Sequence, residues 1–444
     1  MTNADQHYKK MTETPVPKLI LNLGIPTTIS MLITNIYNMA DTYFVGGLGE
    51  SAQAATGILF TVQAVMQGIA IMMGHGGGTF IARALADKNA DEATKYVSSA
   101  FFVGGSLGLI ISILGLSFLE PLVRFLGSTE TIVPHAKDYG MWILMAAPFI
   151  ICSLILNNAL RYEGKAFYAM FGLTTGGILN IFGDYFLVRV CGLGVYGAGL
   201  ATAASQVVSF SILLFMYLKM AQSTIRLKAV SKDIRVYLTI CRVGFPSLIR
   251  QGLSSITNGL LNNLTKPFGD AAIAAMSVVS RYSNFLMCVG LGMGQGFQPV
   301  ASFNYQAKRV DRVKKGLLFT TAFGLVFIGA MSAISIIFAE PIISIFQKHP
   351  EVIAIGSKAL RFTAIGMMFM PFSVPVNMLY QSIQQPTISS SLSLIRSGMV
   401  TIPMLLFAVP LLGLLGIQIA QPTADMLAGL ISIPFIIRFI RKPE

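Results

Sequence analysis

"GIPTTISMLITNIYNMADTYFVGGLG", residues 24–49, is an apolar stretch long enough to cross a membrane, yet it contains the carboxylate of Asp41. No lysine or arginine lies between Lys18 and Arg83 to pair with this carboxylate locally. A carboxylate at the centre of a bilayer costs roughly 2.5–3.5 kcal/mol on insertion scales. Asp41 therefore needs compensation, either from another part of the fold or from a bound cation.

The composition of the whole chain is that of an integral membrane protein. Of 444 residues, 54% are hydrophobic and only 11% are charged, and the mean hydropathy is +0.68. Soluble domains carry about 25% charged residues. Apolar runs of about 20 residues recur along the chain, and each can span the hydrocarbon core. They predict an all-α membrane protein with twelve spans, at 18–45, 52–76, 97–119, 137–159, 167–189, 195–219, 239–265, 272–298, 316–339, 355–380, 387–412 and 414–437.

The net charge of +13 is explained by topology. With a cytosolic N-terminus, twelve spans place about 22 of the 32 basic residues on the cytosolic side and about seven outside, which is the positive-inside asymmetry. Both termini are then cytosolic, and nucleic-acid binding is not expected. The first seventeen residues are polar and predict a cytosolic tail rather than a signal peptide.

The chain contains an internal duplication with a shift of 220 residues. "LGIPTTI" at 23–29 matches "VGFPSLI" at 243–249, and "LGESAQAATG" at 48–57 matches "FGDAAIAAMS" at 268–277. A three-residue insertion then aligns "AAPF" at 146–149 with "FMPF" at 369–372. Each repeat holds six spans, so both halves enter the membrane from the same side. Internal repeats of this kind are typical of transporters, with a site between the halves and alternating access.

The repeat and the charge pattern together predict a domain organisation. We expect a cytosolic tail at 1–17, a six-span N-lobe at 18–219, a basic cytosolic linker at 220–238, a six-span C-lobe at 239–437 and a cytosolic tail at 438–444. Pro26 and Pro246 occupy matching points early in the first span of each lobe. A proline removes one backbone N–H, so it permits a helix to bend there.

Ionisable groups within membrane spans are functional candidates. Three acids and three arginines lie well within predicted spans: Asp41, Asp184, Asp425, Arg250, Arg281 and Arg396. Asp425, Arg281 and Arg250 are possible secondary polar sites, and Arg250 or Arg281 is a candidate to neutralise an acid across the bundle.

A stronger candidate site combines the two acids of the N-lobe. In "NIFGDYFLV", residues 180–188, Asn180 and Asp184 are four residues apart and share a helix face. With Asp41 and the hydroxyl of Thr202, they form an oxygen-rich cluster. Na⁺ prefers oxygen ligands, like other hard cations. Two carboxylates that share a low-dielectric pocket also favour uptake of a proton. Either ion would compensate the charge of Asp41.

Other chemistry is poorly represented. The four cysteines have no C-x-x-C spacing, so metal and redox sites are not expected. "GGSLG" at 104–108 matches a nucleophile pattern that needs a strand before its serine. Ser106 instead lies in an apolar helical run, and His75 is the only histidine in a predicted span. We therefore do not expect an enzyme, and a channel has less need of the duplication.

The stretch 24–49, the "NIFGDYFLV" segment and the duplication resemble the MATE family of multidrug and toxin extruders, in particular its prokaryotic branch with acids in the N-lobe. The resemblance implies two six-helix lobes in a V around a central cavity. It implies antiport, in which entry of Na⁺ or H⁺ drives export of lipophilic, often cationic compounds. Asp41, Asn180, Asp184 and Thr202 match the family's cation site, and Pro26 matches its point of helix bending. Leu261, the repeat equivalent of Asp41, is not acidic, so a C-lobe cation site is not implied.

The resemblance also implies a cellular setting. We expect a monomer in the inner (plasma) membrane of a bacterium or archaeon, with no cofactor beyond the coupling ion. Its partners are the lipid bilayer and small-molecule substrates. A lipid-linked oligosaccharide or lipid flippase of the same fold superfamily is the alternative, although such proteins line their cavity with many cationic residues.

Overall fold

The membrane-crossing segments are helical, because a backbone in lipid must satisfy its own hydrogen bonds. The computed structural model describes residues 3–441, and these residues contain helices and turns but no β-strand. The first half contains α1 (Asn3–Glu13), α2 (Val16–Gly46), α3 (Glu50–Ala86), α4 (Ala90–Ser117), α5 (Leu119–Phe125), α6 (Val133–Tyr162), α7 (Ala166–Asp184) and α8 (Gly194–Met220). A π-helical turn, Tyr185–Val190, extends α7.

The second half repeats this order with more interruptions. It contains α9 (Ile234–Thr265), α10 (Asp270–Gln306), α11 (Val310–Ile337), α12 (Ala339–Phe346), α13 (Pro350–Met367), α14 (Met370–Ser382), α15 (Pro386–Leu394), α16 (Thr401–Pro403), α17 (Val409–Leu412) and α18 (Leu414–Ile440). The segment Pro386–Leu412 is one span in which π-helical turns at Ile395–Met399 and Met404–Ala408 interrupt the α-helix.

Each of the twelve predicted spans lies on helical residues, apart from one or two turn residues in four of them. Ten helical segments are long and apolar enough to cross a membrane, and α13 and α14, bent by 47° at their junction, form an eleventh together. The remaining predicted span is α9, which is 32 residues long but carries several polar side chains, including Arg250, Asn258 and Asn262. This is an all-α, multi-pass membrane protein.

The chain forms two compact units that differ from the predicted lobes at their boundaries. Within the described residues, the first unit comprises residues 3–11 and Ile25–Gly244, and the second comprises Thr12–Gly24 and residues 245–441. Helices α2 and α9 each pass from one unit to the other at a glycine, two residues before a proline. The start of each of these helices therefore packs outside the unit that holds the rest of it.

Close backbone packing explains why these helix starts lie where they do. In the first unit, a Cβ atom on Gly244 would lie 1.9 Å from the carbonyl oxygen of Met72. In the second unit, a Cβ atom on Gly296 would lie 2.4 Å from the backbone nitrogen of Gly24. Only glycine permits such an approach. Hydropathy does not reveal this packing, so the predicted lobes each include the whole of their first helix.

Equivalent hydrogen bonds show that the 220-residue repeat extends further than expected. Asn157 donates from Nδ2 to the carbonyl of Ala169 at 3.0 Å, and Asn377 donates from Nδ2 to the carbonyl of Ser389 at 2.7 Å. A three-residue insertion near residue 370 would have placed residue 380 in this role. The shift is therefore 220 again at residue 377, so the three-residue offset predicted from "AAPF" and "FMPF" does not extend to the end of α14.

The two cytosolic segments predicted from charge are ordered where they meet the first unit. Most of the predicted N-terminal tail is α1, whose Met11 is fully buried. The linker after α8 is held by Glu163, which is fully buried and accepts hydrogen bonds from the Tyr217 hydroxyl and from the backbone N–H groups of Gln222 and Ser223. Burial raises the pKa of Glu163.

Candidate cation site

Helices α2 and α7 pack closely in the first unit, and each predicted acid follows this contact along its helix. A Cβ atom on Gly177 of α7 would lie 3.0 Å from the ring of Tyr37 on α2. Asp41 follows Tyr37 by about one helical turn, and Asp184 follows Gly177 by about two turns. Asp41 and Asp184 are close enough for their charges to interact.

The carboxylate of Asp41 is held on one side only. The hydroxyl of Tyr139, on α6, donates a hydrogen bond to Asp41 Oδ2 at 3.1 Å. Gln63, on α3, donates from Nε2 to the oxygen of Tyr139 at 3.4 Å. The other carboxylate oxygen, Asp41 Oδ1, is buried and has no hydrogen-bond partner among the described residues. Three helices therefore orient this side chain while leaving one oxygen available.

Asn180, Asp184 and Thr202 form the other side of the cluster. All three are buried, and Asn180 donates from Nδ2 to Thr202 Oγ1 at 3.2 Å. This bond turns the amide oxygen of Asn180 away from Thr202, and that oxygen has no partner among the described residues. Both carboxylate oxygens of Asp184 are likewise without a partner. Asp184 is the last residue of α7 before its π-helical turn, and such turns occur frequently at functional sites.

Tyr139 connects the two sides of the cluster. Its hydroxyl donates to Asp41, and Thr202 is close enough to influence the same hydroxyl. The structure thus brings together all four residues predicted for the cation site. Tyr139 and Gln63 were not anticipated, because a tyrosine near the end of a span is typical of the membrane interface.

The cluster has the chemistry of a cation site. Four buried oxygens lack a donor, and neither Asp41 nor Asp184 forms an ion pair within residues 3–441. A buried charge without a partner is strongly unfavourable. Within the same residues, no group of three histidines, cysteines, aspartates or glutamates could hold a metal ion. Two carboxylates, an amide and a hydroxyl can hold Na⁺ or take up a proton.

Pro26, the predicted point of bending, lies inside α2, which is a continuous helix in the structure. It follows the passage of α2 between units by two residues. The hydroxyl of Ser30 donates to the carbonyl of Pro26 at 3.0 Å, and that of Thr34 donates to the carbonyl of Ser30 at 2.9 Å. Hydroxyl groups that bond back along a helix in this way often accompany bending.

The secondary polar sites lie in the second unit. Asp425 is paired with Arg396, with 2.7 Å between Arg396 Nε and Asp425 Oδ1. Arg396, rather than Arg250 or Arg281, therefore neutralises Asp425. Arg250 donates to the amide oxygen of Asn377 at 3.3 Å. Arg281 is exposed on α10.

A family model named MatE matches residues 26–186 and, separately, residues 244–407. This chain belongs to the MatE family. Each of the two matches covers most of one repeat. The resemblance to MATE transporters seen in the sequence is therefore confirmed.

Relatives resemble this MatE protein along nearly its whole length. It is 26% identical over 431 residues to the multidrug export protein MepA of Staphylococcus saprophyticus, covering 96% of this chain and 94% of the relative. It is also 26% identical over 428 residues to a FAD transporter of Shewanella oneidensis, covering 94% of this chain and 93% of that one.

Solved structures agree on the fold. An outward-facing multidrug resistance MATE family transporter of the MOP superfamily matches with a TM-score of 0.91 at 26% identity, covering 99% of this chain and 98% of the other. The MatE protein therefore has the all-α fold of MATE transporters, as predicted.

Proposed function

We propose that this MatE protein is a secondary active transporter that exports lipophilic, often cationic compounds in exchange for Na⁺ or H⁺. The names of its relatives support export of small molecules, since one is a multidrug export protein and another is a FAD transporter. The coupling ion would bind at the cluster of Asp41, Asn180, Asp184 and Thr202. No cofactor is needed in this scheme.

The set of unpartnered oxygens is the observation that supports coupling. Asp41 Oδ1, both oxygens of Asp184 and the amide oxygen of Asn180 are buried and lack donors among the described residues. An ion that binds there removes the free-energy penalty of the buried carboxylates, and its departure restores that penalty. Two conformations with different access to the cluster would then be biased in opposite directions by the ion. In this scheme, bending of α2 near Pro26 would accompany ion binding.

Transport in reconstituted vesicles tests this proposal. Purified protein is placed in liposomes loaded with the cationic dye ethidium, and a Na⁺ gradient or a pH gradient is imposed separately. We expect one inward gradient to accelerate dye movement in the opposite direction, and collapse of that gradient to abolish the acceleration. Equal dye flux with and without either gradient would contradict coupled transport and favour a channel.

The flippase alternative is not proposed. A pyrophosphate-linked lipid requires many cationic groups, whereas one of the three membrane arginines anticipated from the sequence, Arg396, is already paired with Asp425. We also propose that the protein is a monomer, so light scattering of the purified protein should give the mass of one chain.

Orientation in a bacterial or archaeal plasma membrane is also part of the proposal. Cys191 is exposed after the π-helical turn of α7, on the predicted outer side. Lys232 is exposed in the predicted cytosolic linker. In whole cells, an impermeant maleimide should label Cys191 and should not label a Lys232→Cys, Cys191→Ser variant until the membrane is opened. Labelling of residue 232 in intact cells would contradict the topology.

A further inference from the structure

A cavity of about 400 Å³ lies in the second unit, where α2 and α11 begin. Its walls are the residues Pro15–Pro17 on one side and the first turns of α11 on the other. Three basic residues line it, Arg309, Arg312 and Lys315, against one acid, Asp311. This cavity shares no residue with the proposed cation site, and all of its lining residues belong to the second unit.

The repeat shows that the turn before α11 does not need these arginines. In the first unit, the backbone N–H of Asn89 donates to the carbonyl of Ala84 at 2.8 Å; the backbone N–H of Arg309 makes the equivalent bond to Asn304 at 2.8 Å. Lys308, like its first-unit equivalent, has a φ of 57°. The same turn therefore forms with an asparagine or an arginine at its last position.

The two turns differ in charge and in capping. Asn89 caps α4, because its side-chain oxygen accepts the backbone N–H of Glu92 at 3.0 Å. The equivalents of these two residues are Arg309 and Arg312, and the side chain of Arg309 does not cap α11. Capping oxygen atoms and acids are favourable at a helix start, whereas positive charges are not. The second unit thus has excess positive charge at a position where local folding does not favour it.

The three basic side chains have different surroundings. Arg312 is held in the wall, since it donates from Nη2 to the carbonyl of Thr14 at 2.5 Å and from Nε to Asn304 Oδ1 at 3.0 Å. Arg309 and Lys315 are exposed and form no ion pair within residues 3–441. One fixed guanidinium and two unpaired cations therefore face the same cavity.

We propose that this cavity binds a phosphate-bearing anion, and that an anionic membrane lipid supplies it. Guanidinium and ammonium groups are the side chains that recognise phosphate, through charge-assisted hydrogen bonds. The cavity lies at the first residues of two membrane helices, which is the depth of lipid headgroups. Basic pockets between membrane helices on the cytoplasmic side commonly bind such headgroups. Its volume of about 400 Å³ is large enough for a phosphate and its glycerol.

One double variant separates binding from folding. Arg309→Asn removes a charge and restores the capping residue that the first unit has, so the fold should be retained or stabilised. Lys315→Gln removes the second unpaired charge. The matched control is Lys228→Gln with Lys232→Gln, which removes two exposed charges from the linker. The full-length protein in detergent is titrated with phosphatidylglycerol, phosphatidylcholine or glycerol 3-phosphate, and binding is followed by native mass spectrometry and by thermal midpoint.

We expect wild-type protein and the linker control to bind phosphatidylglycerol in preference to phosphatidylcholine and to glycerol 3-phosphate. The double variant should lose about fivefold in affinity for each charge removed, or roughly 25-fold in total, while its midpoint without lipid is unchanged or higher. An equal loss of phosphatidylglycerol affinity in the linker control would show that the cavity is not the binding site. Preference for glycerol 3-phosphate over the lipid would overturn the assignment of the anion to the membrane.

Discussion

Asp184 in the first unit and Asp425 in the second are both buried carboxylates in membrane helices, but only Asp425 has an arginine beside it. The ion pair of Asp425 with Arg396 is complete without any ligand, so this acid is compensated permanently. Asp41 and Asp184 form no ion pair among the described residues, and three of their four carboxylate oxygens lack a hydrogen-bond donor there. The two halves of the repeat therefore treat buried acids differently: the second pairs its acid within the fold, whereas the first leaves its acids without a basic partner.

The largest expected effect is on transport. Asp41→Asn and Asp184→Asn each remove one charge while keeping size, so folding should survive and efflux should fall close to background. The double variant should be little worse than either single variant, because the two residues act as one site. Asp425→Asn is the matched control in the second unit: it should lower stability, because it leaves Arg396 without its partner, but it should reduce transport less. Ethidium efflux from proteoliposomes measures all four variants. Normal transport by Asp41→Asn, with loss in Asp425→Asn, would reverse the comparison.

Sodium dependence of stability sharpens the same comparison. If Na⁺ is the coupling ion, it should raise the thermal midpoint of the wild-type protein, since binding to the folded state stabilises it by mass action. The increase should shrink in Asp41→Asn and persist in Asp425→Asn. A midpoint that depends on pH rather than on Na⁺ would identify the proton. An equal Na⁺ response in both variants would place the ion elsewhere.

The next largest effect concerns the ion pair of Arg396 with Asp425. Arg396→Met leaves Asp425 buried without its partner, which should cost about 3–5 kcal/mol of unfolding free energy. Combining Arg396→Met with Asp425→Leu removes both charges, and most of that loss should be recovered. Denaturant unfolding in detergent measures each variant. If the single and double variants are equally destabilised, packing rather than charge explains the effect.

A smaller effect is expected at the linker after α8, which Glu163 of the first unit holds through hydrogen bonds. Glu163→Gln keeps the shape of the side chain but replaces one carboxylate oxygen with an NH₂ group. This donor would meet the backbone N–H of Gln222 or Ser223, which then has no acceptor. Leaving a buried donor unsatisfied should cost about 1–3 kcal/mol and should expose the linker to proteolysis. Its repeat equivalent, Ile383→Leu, is the control. Unchanged cleavage after Arg226 in the Glu163 variant would show that the linker is held by other contacts.

The smallest effect is a pH dependence at α1, which lies against the turn at Gly164 through His7 and Met11. Burial, and then Lys165 and Lys10, lower the pKa of His7 to about 4. In an α1 that is not docked, the imidazole of His7 would titrate near pH 6.5. The docking of α1 is therefore most stable above pH 6.5 and weakens as the pH falls toward 4. Hydrogen exchange of α1 should therefore accelerate over that range, and His7→Gln should remove the slope. An unchanged slope in that variant would assign the titration to another group.

The fold and the candidate site were predictable to different extents. Apolar run length indicates where helices lie, because every membrane span must satisfy its own backbone. The Asn180–Asp184 spacing likewise places two oxygens on one helix face. By contrast, Tyr139 and Gln63 join the cluster from helices distant in sequence, and the pairing of Arg396 with Asp425 depends on how two helices pack. Such contacts are set by tertiary packing, about which hydropathy and helical periodicity carry no information.

The passage of α2 and α9 between units has a mechanical consequence. Each helix begins in one unit and continues in the other, so one unbroken helical backbone belongs to both units. Pro26 and Pro246 each remove one backbone hydrogen bond two residues after the helix changes unit. The bending stiffness of each helix is therefore lowest close to the point at which its packing partners change, and the repeat places this weak point at the same position in both helices.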